Sequence, residues 1–237
     1  MIHVAAAAGC AALCGAGSFL APRLIARVPE PEPDPDADAD DPVKEPYADI
    51  AALPGLAWTS AVAGAVAGAL VGGRLGWTWP LLFLVPLVPV LVALAVIDWR
   101  THLLPTRVVW PTTLATAALI VVSWALSGGD EALVRAGWGF VVAYGSFFVL
   151  WFIYPKGLGY GDVRLAGVLG LALGYLGWGP LLVGLYAGFL LGGVGGGLLS
   201  VLKVVRRKAF PFGPFMVVGA LVGVLWGAQI LDRLGAG

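Results

Sequence analysis

Fourteen carboxylic acids stand in this chain, and their positions set two of them apart. Nine (Glu30, Glu32, Asp34, Asp36, Asp38, Asp40, Asp41, Glu45, Asp49) crowd into one segment, Asp130 and Glu131 sit together in a turn, and Asp232 lies close to the last residue. Asp98 and Asp162 each stand at the edge of an apolar run. A carboxylate in that position is costly to desolvate and is kept for function or for pairing with a cation. Two carboxylates held together in a partly desolvated site share a proton. One then acts as base on a water while the protonated one donates to a carbonyl oxygen. The plainer alternative is two separate ion pairs, Asp98 with Arg100 or Arg107 and Asp162 with Arg164.

The neighbouring residues bear on this choice. Asp162 follows Gly159-Tyr160-Gly161, where two glycines let backbone approach closely and allow conformations closed to other residues. Such a place suits an extended polypeptide substrate. Asp98 opens Asp98-Trp99-Arg100-Thr101-His102-Leu103-Leu104-Pro105, which reads as a turn leaving one apolar run just before the next begins near Arg107.

The elements that position these acids are membrane helices. The chain is 59% hydrophobic and 12% charged, where a soluble domain carries about 25% charged residues. Apolar runs of bilayer-crossing length recur along it, separated by short breaks rich in Gly, Pro or charge. The pattern predicts an all-α polytopic protein of about eight transmembrane helices, near 3–26, 55–74, 79–97, 107–127, 132–154, 164–177, 181–202 and 213–233, the sixth short. It divides into a first helix (1–27), an acidic linker without structure (28–54) whose Pro, Asp, Glu and Ala cannot bury a core, and a seven-helix core (55–237). Basic and acidic residues balance at 14 each, so charge points to no nucleic-acid partner. The abundant glycines of the later spans, Gly184, Gly188 and Gly192 among them, are read as close helix packing.

Orientation follows from the distribution of cations. An external N-terminus puts Arg23, Arg27, Lys44, Arg100, Arg107, Lys156, Arg164, Lys203, Arg206, Arg207 and Lys208 in the cytoplasm and leaves Arg74, Arg135 and Arg233 outside. Asp98, ending the third span, and Asp162, beginning the sixth, then share the cytoplasmic face. Asp130 and Glu131 fall on the other.

Four ordered segments carry a family resemblance. Gly159-Tyr160-Gly161-Asp162 resembles the Gly-x-Gly-Asp signature of the prepilin peptidases, the type IV prepilin leader peptidase (A24) family. Ile97-Asp98 with Leu104-Pro105 resembles their first aspartate motif. Gly17-Ser18-Phe19-Leu20 followed by Arg27-Val28-Pro29 is similar to the end of their first helix, and Pro211-Phe212-Gly213-Pro214-Phe215 to the start of their last. The resemblance implies an aspartic endopeptidase of the bacterial plasma membrane. It would cut the basic leader from type IV prepilin-like precursors on the cytoplasmic side, usually after a glycine and just before the substrate's apolar N-terminal helix. It also implies Asp98 and Asp162 as the catalytic pair, Gly159 and Gly161 as the loop shaping the site, and no metal or other cofactor. The competing class is a transporter or pilus-assembly scaffold with ion-paired aspartates.

One departure from the pattern narrows the expected activity. Many members carry two Cys-x-x-Cys zinc pairs between the first two helices, associated with methylation of the new N-terminus. Here that place is held by Val28 to Pro54, which has no cysteine, so peptidase activity without methyl transfer is expected. Cys10 and Cys14, four residues apart in the first helix, are read as packing residues, as are Ser18 and Ser146. His102, four residues after Asp98, is weighed as a metal ligand and set aside for want of a His-Glu-x-x-His pattern. The cluster Lys203, Arg206, Arg207, Lys208 is read as an anchor to anionic lipid. The acidic linker is read as a tether, with the sharper alternative that its acids attract a basic leader.

Overall fold

The structure, a computed structural model, describes residues 3–30, 44–155, 157–201 and 211–235, the side chains of 194–201 excepted. Among the described residues the regular structure is all helix, with no strand. In chain order the helices are α1 (Val4–Phe19), α2 (Ala21–Ala26), α3 (Tyr47–Ala51), α4 (Leu56–Leu75), α5 (Leu81–Thr101), α6 (Thr106–Ser127), α7 (Asp130–Ile153), α8 (Tyr160–Leu176), α9 (Trp178–Val201) and α10 (Gly213–Arg233). With α1 and α2 taken as one interrupted span, six helical segments among the described residues are long and apolar enough to cross a membrane. This is a multi-pass membrane protein. The other two spans expected from sequence coincide with α8, which has 17 residues, and with α9.

Helices are what such a sequence must form, because only intrahelical hydrogen bonds satisfy the backbone where water is absent. Their ends are marked by residues that can turn left-handed. Gly76 closes α4 at φ +68° and Gly128 closes α6 at φ +74°.

Three helix pairs pack tightly, α1 on α4, α7 on α8 and α9 on α10, each through small residues. Gly64, Gly68 and Gly72 recur every fourth residue on α4 and receive Ser18, Cys14, Cys10 and Ala6 of α1; a Cβ at Gly72 would lie 2.4 Å from the Ala6 carbonyl oxygen. On α9 and α10, Gly184 and Gly188 face Gly219 and Gly223, as the close-packing reading expects. In a bilayer, where apolar side chains gain nothing by leaving lipid, such close approach is the main source of helix association. Filling one of these contacts costs about 1–3 kcal/mol or more.

Cys14 has a further part in this packing. Pro89 in α5 has no N–H for the carbonyl of Val85. The Cys14 thiol donates to that oxygen at 3.5 Å. Cys10 and Cys14 are both buried and unpaired.

The stretch 28–54, expected to lack structure, is packed at its two described ends. Val28 is buried, and α3 forms with Tyr47 and Ile50 buried against Ala21, Ile25, Ala93 and Ile97. The few apolar residues of this stretch are enough to cover the last turns of α5. Residues 31–43, with Glu32 and five of the aspartates, lie outside the described residues, as do Lys156 and the Lys203, Arg206, Arg207, Lys208 cluster.

Candidate active site

Asp98 occupies the last turn of α5 and is 4% exposed. That turn is held from several directions. Thr101 Oγ1 donates to the Ile97 carbonyl at 2.8 Å, and His102, in the left-handed region at φ 55°, donates its N–H to the Asp98 carbonyl at 2.8 Å. Arg100 reaches back to the α3 side and forms a two-pronged ion pair with Glu45, at 2.7 and 2.8 Å. The Arg100 hydrogen bond holds the Glu45 carboxyl below the usual carboxylate range.

The Asp98 carboxylate itself accepts the backbone N–H of Gly213 on Oδ2 at 2.8 Å. Gly213 is the first residue of α10, where helix N–H groups have no intrahelical partner and the helix dipole favours an anion. A Cβ at position 213 would lie 2.8 Å from the same oxygen, so only glycine leaves room for it.

Asp162 lies in the first turn of α8 and is 7% exposed. It is held within its own helix end. The Gly159 N–H donates to Asp162 Oδ2 at 3.1 Å, and the Asp162 N–H donates to the Gly159 carbonyl at 3.0 Å. The other carboxylate oxygen, Oδ1, is buried with no hydrogen-bond partner.

One pocket of about 580 Å³ is lined by both aspartates. Its walls come from the α5–α6 turn (Leu103 to Arg107), the start of α8 (Gly159 to Asp162, with Arg164), and Val28, Pro29, Glu30 and Tyr47 of the α2–α3 connection.

The two glycines act through space rather than through unusual dihedrals. Gly159 has an ordinary extended backbone at φ −72°, and neither Gly159 nor Gly161 has a positive φ, which corrects the conformational reading of the Gly-Tyr-Gly sequence. A Cβ on Gly161 would lie 2.8 Å from Leu104 Cβ. Its absence lets the first turn of α8 lie against the α5–α6 turn.

Neither aspartate forms an ion pair among the described residues. The cations nominated for that role are engaged elsewhere or unpaired. Arg100 takes Glu45, and Arg164 hydrogen-bonds Thr106 while lying 4.5 Å over the Tyr160 ring, whose hydroxyl is 2.8 Å from that of Tyr144. His102 lines the same pocket; partial burial of its ring, then the charge of Lys44, pulls its pKa down. Among the described residues no three His, Cys, Asp or Glu are grouped to hold a metal ion. Ser146 Oγ donates to its own helix at Ala143, and Ser18 is buried against Gly64.

Sequence reasoning passed over three contributors to the site. Gly213 stood in a quoted motif without a role, since a backbone donor leaves no side-chain signature. Glu45 and Tyr47 lay inside a stretch read as unstructured.

A family model described as the type IV leader peptidase family matches residues 85–197, a range containing Asp98 and Asp162. The chain is 32% identical over 154 residues to a prepilin leader peptidase/N-methyltransferase of Aeromonas hydrophila, covering 64% of this chain and 52% of that protein. It is 31% identical over 164 residues to the protein of the same description from Pseudomonas aeruginosa, covering 66% and 53%. It is 33% identical over 163 residues to the leader peptidase HopD of Escherichia coli, covering 66% of this chain and 98% of that protein. The chain thus spans about half the length of the peptidase/N-methyltransferases it matches. No solved structure matches it.

Proposed function

Because the chain belongs to the type IV leader peptidase family, we propose that it is an aspartic endopeptidase that removes the basic leader of prepilin-like membrane proteins. The observation that carries this reading is the pair of carboxylates in one pocket. Each is mostly buried, each has one oxygen on a backbone N–H at a helix start, and neither has a cation. Ion pairing, the expectation for a transporter or scaffold, has no counterpart in this arrangement.

In the proposed mechanism the two carboxyls share one proton. The ionised carboxylate takes a proton from a water, whose oxygen attacks the scissile carbonyl carbon. The protonated carboxyl donates to the carbonyl oxygen, giving a neutral gem-diol. When the diol collapses, its proton returns to one carboxyl, the leaving nitrogen takes a proton from the other, and the C–N bond breaks. The Gly213 and Gly159 N–H groups fix the two carboxylates during these transfers. Asp162 Oδ1 is buried without a protein partner, which leaves its hydrogen-bonding capacity unspent for these transfers.

The remaining parts of the reading are eight spans with an external N-terminus, which put the pocket on the cytoplasmic face of a bacterial plasma membrane. Methyl transfer is left out, since Val28 to Pro54 holds no cysteine.

The test is co-expression with a prepilin-like substrate. The unsubstituted chain should shift the substrate's size, and Asp98→Asn or Asp162→Asn should abolish the shift while the protein stays inserted and folded. Retained cleavage in either variant overturns the mechanism.

A further inference from the structure

We propose that the cavity between α2 and the start of α6 is a site for an anionic phospholipid, its phosphate held by Arg23, Arg27 and Arg107 beside the pocket that contains the aspartates. The cavity has a volume of about 680 Å³, and no acid is among the residues that line it.

Charge sets the sign of the ligand. Arg23 and Arg27 stand four residues apart, so they project from one side of α2, where like charges repel. Arg107, in the first turn of α6, adds a third cation from the other wall. Among the described residues none of the three has an ion pair. Acids of the α2–α3 connection are engaged elsewhere: Glu45 takes Arg100, and Glu30 accepts the Ala48 N–H at 3.3 Å. The Thr112 hydroxyl, also in the lining, donates to the Val108 carbonyl at 2.8 Å. An orienting role accounts for the side of the membrane on which these arginines sit, and not for their convergence on one cavity. Guanidinium groups in that arrangement suit a phosphate, which accepts their paired N–H donors.

The walls select a lipid over a free phosphate. Alongside the cations lie Leu20, Leu24, Val90, Val108 and Pro111. Pro111 stands about 6 Å along α6 from Arg107, and Leu20 about 10 Å along the chain's first span from Arg27. The cavity therefore runs from charged helix ends into the apolar layer. Leu20, 45% exposed, leaves it open to the surrounding acyl chains. A free phosphate would use only the charged part, whereas an amphiphile with an anionic head and a hydrocarbon tail uses both. Basic pockets between membrane helices bind lipid head groups in this way.

The site also adjoins the chemistry. Arg107, Val28 and Pro29 line both this cavity and the pocket of Asp98 and Asp162. A phosphate bound here ties the end of α2 to the start of α6, two pieces of one wall of that pocket, and neutralises a cation at its edge. On the peptidase reading, on which this consequence rests, occupancy raises kcat/KM for a substrate with a basic leader.

The experiment uses the full chain in bilayers of phosphatidylcholine, alone or mixed equally with phosphatidylglycerol. Native mass spectrometry after extraction reads which lipid the protein keeps. The unsubstituted chain should keep phosphatidylglycerol in preference, and the Arg23→Gln/Arg27→Gln protein should lose that preference by about tenfold. Arg233→Gln, at the far end of α10, should keep it. A photo-crosslinking amino acid at Leu20, with all arginines in place, should form adducts enriched in phosphatidylglycerol. Equal retention of the two lipids by the unsubstituted chain, or adducts that follow the bulk lipid ratio, overturns the site. Stabilisation of the detergent-solubilised chain by inorganic phosphate equal to that by phosphatidylglycerol overturns the assignment to lipid. Leader cleavage should speed up with phosphatidylglycerol in the unsubstituted chain and not in the Arg23→Gln/Arg27→Gln protein. Comparison in the same bilayers removes the general attraction of a basic leader to an anionic surface. An equal increase in both proteins overturns the coupling to the pocket. Preferential phosphatidylglycerol retention without cleavage of any prepilin-like substrate overturns the peptidase reading and leaves the lipid site standing.

Discussion

The backbone N–H of Gly213 donates to Asp98 Oδ2 at 2.8 Å, joining the last turn of α5 to the first residue of α10 across 115 positions of sequence. Asp162 finds its donor three residues away, at Gly159. One carboxylate is therefore placed by tertiary structure and the other by its own helix end.

Gly213→Ala isolates the long-range arm. The new Cβ would fall 2.8 Å from the Asp98 oxygen it has to make room for, while alanine is otherwise a good residue at a helix start. A displacement approaching 1 Å in a reacting group costs about 100-fold in rate. We expect a kcat loss of that order with KM little changed, measured by leader cleavage in membranes. Cleavage at the unsubstituted rate by a folded Gly213→Ala protein would remove the positioning role.

Gly161→Ala probes the contact between the two aspartate-bearing turns. Its Cβ would press on Leu104 Cβ at 2.8 Å, moving the start of α8 away from the α5–α6 turn. Cleavage should fall at least about tenfold while detergent melting shifts little. A loss of melting temperature in proportion to activity would instead mark Gly161 as a packing residue.

The Glu45–Arg100 pair gives α3 a pH-dependent hold on the end of α5. Arg100 lowers the Glu45 pKa, so this contribution is fully present above the ordinary glutamate value, about pH 4.3, and is lost as pH falls through the lowered one. Because the pair is solvent-exposed, the effect on stability is small. Limited proteolysis near α3 should speed up below about pH 4. Glu45→Gln should show the faster proteolysis already at neutral pH, and no difference between Glu45→Gln and the parent at pH 7 would count against the pair.

The acidic stretch between the first two spans is expected to act on encounter rather than chemistry. Replacing its acids other than Glu30 and Glu45 with Ser or Asn should lower kcat/KM for a basic-leader substrate most at low salt, and the difference should shrink as ionic strength rises. A kcat/KM at low salt unchanged from that of the parent would show that the stretch is only a tether.

The catalytic candidates were legible in the sequence because a carboxylate at a membrane edge is costly and, the acidic linker aside, only two acids stood at the cytoplasmic face. The helices were legible because each is a long apolar run. Less was visible wherever a few residues decide the structure. Tyr47 and Ile50 are two apolar side chains amid prolines and acids, too few for a periodicity, yet they cover the turn that carries Asp98. Gly159 and Gly161 stand out in the sequence, but glycine's two properties, freedom of φ and lack of a Cβ, look the same in one dimension; here the second matters. Gly213 contributes through a main-chain donor that every non-proline residue has, so only the fold distinguishes it.

The long reach between Asp98 and its donor also has a consequence for biosynthesis. A ribosome elongating at about 5–20 residues per second takes roughly 6–23 s to pass from Asp98 to Gly213. Throughout that interval the nascent chain lacks the group that orients Asp98, even after Asp162 has been made. On the proposed mechanism, hydrolytic competence is deferred until α10 has entered the bilayer, and a translation product truncated before that helix should not cleave.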